Sequence, residues 1–453
     1  MSRKPASGLR FQPAGGRQPA KGPVSGQKQQ ISIERLAHDG RGIAFVDGRS
    51  WFVSGALPGE QVRARVLATR SKVVDAIAER IEQPATERVE PFCPHAGTCG
   101  GCTLQHMPLD AQRAFKQAYL ADQLQRAGVA VQHWDEPLTG ADRGYRRRTR
   151  LAVRTGKDGC TALGLRALAS QQIVEIEQCP VLEEPLQRLL GPLGGLVRSG
   201  LQQAHAIGHL ELFSGTQVAL LVRLTRSITD AEQQRWRDFA ADHQVQLWWQ
   251  TDGEPQPDVP ASELGYRLEE QGLTLACRPG DFVQVNAGVN QQMVARALDW
   301  LDVQPHERVL DLFCGLGNFS LPLARQAAEV VAVEGVQAMA ERGQANADSQ
   351  GIGNLRFYAA DLSQPLQHHD WAGQPFDKIL LDPPREGALQ AVGALGKPRA
   401  KKLVYVSCNP ATLARDASVL AEQGYRLERA CTLDMFSHTG HVEAMALFVH
   451  TAR

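Results

Sequence analysis

The 453-residue chain has no apolar run long enough to span a bilayer, which argues against a helical membrane protein. Its opening residues lack the apolar core of a secretory leader. Coiled-coil heptads and short tandem repeats are absent, so neither a rod nor a solenoid is expected. Net charge is absent too. The 49 basic residues balance 49 acidic ones, and global charge therefore names no partner. A cytoplasmic protein with no membrane attachment, acting as a monomer, is the expectation. What is present is ordinary for a globular chain, with 43% hydrophobic and 22% charged residues. The length exceeds one core of usual size and suggests two or three domains.

Nine cysteines in a reducing compartment should be thiols, metal ligands or catalytic groups, not disulfides. Cys93, Cys99 and Cys102 cluster, whereas Cys160, Cys179, Cys277, Cys314, Cys408 and Cys431 are scattered.

Local charge is more telling than the total. Residues 1–30 hold Arg3, Lys4, Arg10, Arg17, Lys21 and Lys28 and no acid. A disordered basic tail is expected over 1–22, suited to loose phosphate contact or to no specific role. Short alternating runs follow, such as Gln61-Val62-Arg63-Ala64-Arg65-Val66, with Asp47-Gly48 as a hairpin turn. They suggest a small barrel over 23–82, of a kind that often binds nucleic acid, with Arg63, Arg65, Arg70 and Lys72 as a positive stripe.

A cysteine-rich loop and a helix from about Asp110 to Ala127 open a mixed segment over 83–275. Strands are expected at Arg150–Arg154, Gln172–Ile176, Val218–Arg223 and Val245–Trp249, so this part reads as α+β. Its run Tyr145-Arg146-Arg147-Arg148-Thr149-Arg150 suits phosphate binding or a solvated strand edge equally well. From 276 onward strands and helices alternate. Strands at Arg308–Phe313, Val330–Glu334, Leu355–Tyr358, Lys378–Leu381 and Lys402–Ser407, with two closing strands, imply a mostly parallel, doubly wound sheet.

The first of these strands runs into Phe313-Cys314-Gly315-Leu316-Gly317-Asn318, a turn whose glycines let backbone approach a ligand. Glu334 ends the next strand about twenty residues on, where an acid can accept from both ribose hydroxyls. Asp361 follows the third strand, where an acid commonly meets an adenine amine. The turn alone also fits a dinucleotide enzyme, but Ser320 stands where the full fingerprint wants a glycine. The two acids and the later motifs favour S-adenosyl-L-methionine.

The fourth strand ends in Asp382-Pro383-Pro384-Arg385, whose prolines aim Asp382 into the crevice. An amino-group methyltransferase uses a similar turn. The fifth strand ends in Val406-Ser407-Cys408-Asn409-Pro410, which places Cys408 at a helix N-terminus where the dipole should favour a thiolate. Carbon 5 of uracil is a poor nucleophile. Thiolate addition at carbon 6 gives an enolate whose carbon 5 can attack a sulfonium methyl, and a base must then remove the carbon 5 proton. Glu443, at the start of the last strand, can supply that base, with His441 as a competitor. An amino-group enzyme would need neither the cysteine nor the base.

The motifs Asp311-Leu312-Phe313-Cys314-Gly315, Asp382-Pro383-Pro384-Arg385, Ser407-Cys408-Asn409-Pro410 and His438-Thr439-Gly440-His441-Val442-Glu443 resemble those of the RNA uracil carbon-5 methyltransferases. The chain is most similar to their bacterial branch that acts on 23S ribosomal RNA and carries a TRAM domain and an iron–sulfur cluster. The resemblance extends from about Gly22 to the C-terminus. It implies a class I (Rossmann-like) α/β methyltransferase domain over 276–453, an all-β TRAM (OB-like) barrel over 23–82 and a central α+β iron–sulfur domain over 83–275. It implies Cys408 as nucleophile and Glu443 as base. Gln284, Phe313, Asn318, Glu334, Asp361 and Asp382 become S-adenosyl-L-methionine contacts, with Asp382 also touching the uracil edge.

Cys93, Cys99 and Cys102, spaced by five and two residues, form one short loop, and Cys179 can supply a fourth ligand. From spacing alone zinc and an iron–sulfur cluster both fit. The resemblance implies a 4Fe–4S cluster on these four positions, with a structural part to play.

Overall fold

The computed structural model describes residues 22–260, 263–364, 369–395 and 400–451. The tail expected over 1–22 lies almost wholly outside them. The chain divides into two compact units, 1–88 and 89–453. Among the described residues no helix is long and apolar enough to cross a membrane.

The first unit is one six-stranded sheet with Lys28–Ser32, Gln61–Arg70, Val73–Gln83, Arg49–Ser54, Gly42–Val46 and Arg35–Leu36 in spatial order. Val62, Ala64 and Val66 point inward and pack with Trp51, Val53 and Val74, so a one-residue slip would expose that whole face. Asp47 and Gly48 both have positive φ (49° and 71°), as the tight two-residue hairpin turn requires. Arg63 and Arg65 alternate with the buried positions and lie on the outer face.

The second unit holds two large sheets. A seven-stranded one is ordered Ile173–Glu175, Thr161–Arg166, Arg148–Thr155, Ile207–Ser214, Val218–Leu224, Gln246–Gln250 and Gln256–Pro257. The eight-stranded one is ordered Leu355–Ala359, Glu329–Glu334, Arg308–Leu312, Lys378–Leu381, Lys402–Ser407, Glu443–His450, Tyr425–Leu433 and His133–Trp134. Its first five strands are parallel, and the four inner ones are buried on both faces, hence their mostly apolar runs. Glu443–His450 enters antiparallel, between Lys402–Ser407 and Tyr425–Leu433.

The division expected at 275/276 coincides with no break in packing. Phe213, Leu221 and Trp248 share a core with Tyr266, Leu275, Met293 and Leu321. Helix Leu109–Arg126 packs through Leu120 and Leu124 on the group holding Leu413 and Leu420 of helix Pro410–Glu422. The basic run takes a structural part in this union. Arg147, 4% exposed, donates through Nε to the Gln284 carbonyl at 2.7 Å and stacks 4.8 Å above the Tyr266 ring. Arg148 donates to the Asp281 carbonyl and pairs with buried Glu211 at 2.8 Å. Only Arg143 and Arg150 of this stretch stay mostly exposed.

Candidate active site

The crevice begins at the carboxyl end of Arg308–Leu312. Phe313, Gly315 and Gly317 all have positive φ (62°, 55° and 94°), so the chain turns sharply there. A Cβ on Gly317 would lie 2.2 Å from Leu321 and 2.9 Å from Phe357, so only glycine fits. The Gly315 N–H donates to one oxygen of Glu334 at 3.0 Å, and Val336 N–H donates to the other at 3.1 Å. These two bonds aim the carboxylate and leave lone pairs for further donors. Asp361 accepts from the Ser363 hydroxyl at 2.7 Å and its N–H at 2.9 Å, which holds its carboxyl below the usual range. Asn318 is placed differently. Its amide exchanges two hydrogen bonds with Asn290 (3.0 and 2.9 Å) and accepts from Tyr266 Oη at 3.2 Å, supporting the turn from behind and not lining the crevice.

The reversed last strand decides the rest. Ser407 pairs with Ala444 at the last rung of the antiparallel ladder, so Cys408 and Glu443 stand side by side just beyond it. Asn409 caps helix Pro410–Glu422, its Oδ1 accepting from Ala411 N–H at 3.1 Å. Its Nδ2, with Thr412 Oγ1, donates to the Arg385 carbonyl (3.0 and 3.2 Å), tying the Asp382-Pro383-Pro384-Arg385 turn to the same helix start.

Together these elements enclose a cavity of about 1040 Å³. Gln284, Phe313, Glu334, Asp361, Asp382, Cys408 and Glu443 all line it, as do Arg385 of the fourth-strand motif and Phe282 and Met339, to which the sequence assigned no role. The dry setting raises the acids. Burial, then the charge of Asp382, pushes Glu443 up to about 8, and burial pushes Asp382 up to about 7. Burial, then Glu443 and Asp382, likewise pushes the Cys408 thiol above its usual range. The thiolate expected from the helix dipole is therefore not the resting form, because desolvation and two neighbouring acids outweigh it. His441 is held low by burial and by Arg385, whose guanidinium sits 3.0 Å from its Nδ1. That makes His441 the weaker base of the two candidates.

A second cavity of about 350 Å³ is lined by Cys93, Cys99, Cys102 and Cys179, all free thiols. Burial, followed by the neighbouring cysteines' charge, raises Cys102 to about 12 and Cys179 to about 11. The four thiols line this cavity together with Arg146 and Arg150, and thiolates are donors suited to a soft metal centre. A Cβ on Gly100 would press on the Arg166 carbonyl at 3.1 Å, so the loop needs glycine there. Among the described residues no three His, Cys, Asp or Glu side chains converge as a metal-ion site. Cys277, Cys314 and Cys431 are buried and Cys160 exposed, away from these thiols.

The family model described as tRNA (uracil-5-)-methyltransferase matches residues 264–451, and that of the TRAM domain matches residues 25–78. The 23S rRNA (uracil(1939)-C(5))-methyltransferase RlmD of Pseudomonas entomophila is 57% identical over 99% of both chains. The protein of the same name from Pseudomonas putida is 58% identical over the same shares. The chain belongs to the RNA uracil-C5 methyltransferase family. The crystal structure of Pyrococcus abyssi tRNA (uracil-54, C5)-methyltransferase, in complex with S-adenosyl-L-homocysteine, shares its fold. The TM-score is 0.71 at 23% identity, covering 93% of this chain and 100% of that one.

Within this family fold, Asp311 sits behind the glycine turn, fully buried, with Oδ2 2.5 Å from Ser320 Oγ. Burial, then the charges of Asp382 and Glu334, raises it to about 8 against the pull of Ser320. Its folded value lies above its unfolded one, so its contribution to stability is full below about pH 4 and is lost as pH rises toward 8. Asp311→Asn should therefore gain stability relative to wild type between about pH 5 and about pH 8 in thermal unfolding. A difference independent of pH would contradict this.

Proposed function

We propose that the chain transfers a methyl group from S-adenosyl-L-methionine to carbon 5 of one uridine of 23S ribosomal RNA, the position its relatives' names give as 1939. The observation that carries this reading is that Cys408 and Glu443, which flank the paired Ser407 and Ala444, line one cavity with Asp382. The sulfonium of the methyl donor supplies the electrophile. Gln284, Phe313, Glu334 and Asp361 would hold that donor, with Glu334 placed for the ribose hydroxyls, and Asn318 would act through the turn it braces.

Cys408 gives up its proton to solvent as the ring docks, its sulfur bonds to carbon 6, and the electron pair of the carbon 5–carbon 6 double bond moves onto carbon 5 and the neighbouring carbonyl oxygen as an enolate. Asp382 meets the uracil edge. Carbon 5 takes the methyl. Glu443, as carboxylate, then removes the carbon 5 proton, the double bond re-forms and the Cys408 thiolate leaves. The target base must leave its stack to reach this depth. The TRAM barrel, with Arg63, Arg65, Arg70 and Lys72, and Arg143 and Arg150 of the second unit would grip looped RNA. On this reading the protein works as a monomer on ribosomal RNA in the cytoplasm.

Cys93, Cys99, Cys102 and Cys179 would hold a 4Fe–4S cluster that pins its loop, since methyl transfer moves no net electrons. Anaerobically prepared protein should contain about four iron atoms and as much acid-labile sulfide per chain, and Cys179→Ser should lose most of both. Zinc without sulfide would contradict this.

RNA carrying 5-fluorouridine has no carbon 5 proton to surrender. It should form a stable covalent adduct with the wild type and none with Cys408→Ala, read on a denaturing gel. Ribosomal RNA from a deletion strain should lack one methyluridine. An adduct surviving in Cys408→Ala would overturn the assignment.

A further inference from the structure

Glu443 is delivered to the crevice by a strap, residues 434–442, that contains neither helix nor strand. At its middle His438 has a φ of 65°, which a non-glycine residue adopts only when its surroundings fix it. Those surroundings are the cysteine loop and the start of helix Leu109–Arg126. The His438 N–H donates to Gln112 Oε1 at 2.9 Å, and its carbonyl accepts from Thr103 N–H (2.9 Å) and Leu104 N–H (3.0 Å). The Gly440 N–H donates to Thr103 Oγ1 at 3.4 Å. Gln112 is fully buried. Its Nε2 also donates to the carbonyls of Leu104 (3.0 Å) and Met107 (2.8 Å) and lies 3.2 Å from His438 Nδ1. At the head of the strap, buried Lys116 binds Asp434 at 2.8 Å and the Phe436 carbonyl at 2.9 Å.

Cys408 makes none of these contacts with Gln112, Thr103 or Leu104. It follows Ser407, whose hydroxyl accepts from Asn409 N–H at 3.1 Å, and it precedes a helix capped by Asn409 itself. Cys408 and Glu443 share the ladder that ends at Ser407 and Ala444, but only Glu443 is also reached through the strap.

We propose that Gln112 is the positioning residue for proton removal: by locking the bend at His438 to the loop at Thr103 and Leu104, it holds Glu443 at the height where the carbon 5 proton appears. This rests on the reading of Glu443 as the base. Loosening the strap should spare sulfur addition and methyl transfer and slow only the last step, in which the carboxylate takes the proton and the carbon–sulfur bond breaks. Because Thr103 directly follows Cys102, the cysteine loop and the base belong to one support.

The test uses full-length protein, S-adenosyl-L-methionine and RNA with ordinary uridine, comparing wild type, Gln112→Met, Thr103→Val and Glu443→Gln. First-turnover methyl incorporation is measured beside covalent protein–RNA adduct on a denaturing gel. Gln112→Met should incorporate methyl within about twofold of wild type yet release product about tenfold more slowly, with methylated adduct accumulating. Thr103→Val, which removes only the Gly440 contact, should shift the same way by less, and it decides the matter if Gln112→Met does not fold. Incorporation and release falling in parallel without adduct, while Glu443→Gln does accumulate it, would overturn the proposal alone. Absence of adduct in Glu443→Gln would overturn the role of Glu443 and this proposal with it.

Discussion

The structure turns on one reversal of chain direction. In a parallel sheet every strand ends at the ligand crevice and begins at the far edge. Five strands of the catalytic sheet obey that rule and bring Gly315, Glu334, Asp361, Asp382 and Cys408 to one rim. Glu443 begins its strand. Only because that strand runs antiparallel beside Lys402–Ser407 does its first residue arrive at the rim, beside the proposed nucleophile. A group that attacks one carbon of a ring and a group that deprotonates the next carbon must reach adjacent atoms, and the strand pairing directly behind Cys408 and Glu443 brings both to one place.

The same arrangement crowds three acids-in-waiting into a desolvated space. Burial acts on Cys408, Asp382 and Glu443 together, and each ionised neighbour makes the next ionisation harder. Arg385 and Lys116 offset part of this at Glu443, but the free site still favours neutral groups. A cationic methyl donor entering such a site brings the charge that the thiolate and carboxylate need. Reactivity then coincides with occupancy, and a hard-to-ionise thiol is protected from idle chemistry.

Much of this was legible in the sequence because the decisive residues sit at strand ends, where local motifs mark them. Asp382 between an apolar run and two prolines, Cys408 before a capping Asn409 and Pro410, and Glu334 about twenty residues past the glycine turn each announce their place by period and punctuation. What failed to show is non-local. Asn318 reads as a cofactor contact from its motif, yet its partners Asn290 and Tyr266 lie far back in the chain. The basic run around Arg147 suits a phosphate ligand or a solvated strand edge, yet the tertiary fold buries Arg147 over Tyr266. The helix dipole at Cys408 and the two acids Asp382 and Glu443 were all visible, but not the burial that lets desolvation and those acids outweigh the dipole. Helix Leu109–Arg126 looked like part of the central segment because sequence order cannot show that it packs on Pro410–Glu422.

The account stands on sulfur activating the ring at carbon 6 while Glu443 strips the proton from carbon 5. RNA bearing tritium at carbon 5 of the target uridine measures both events at once. Wild type should release one tritium to water for every methyl gained, and Glu443→Gln should gain the methyl while retaining the tritium. Methyl gain with tritium release from Cys408→Ala, or methyl gain by the wild type with no tritium released, would contradict it.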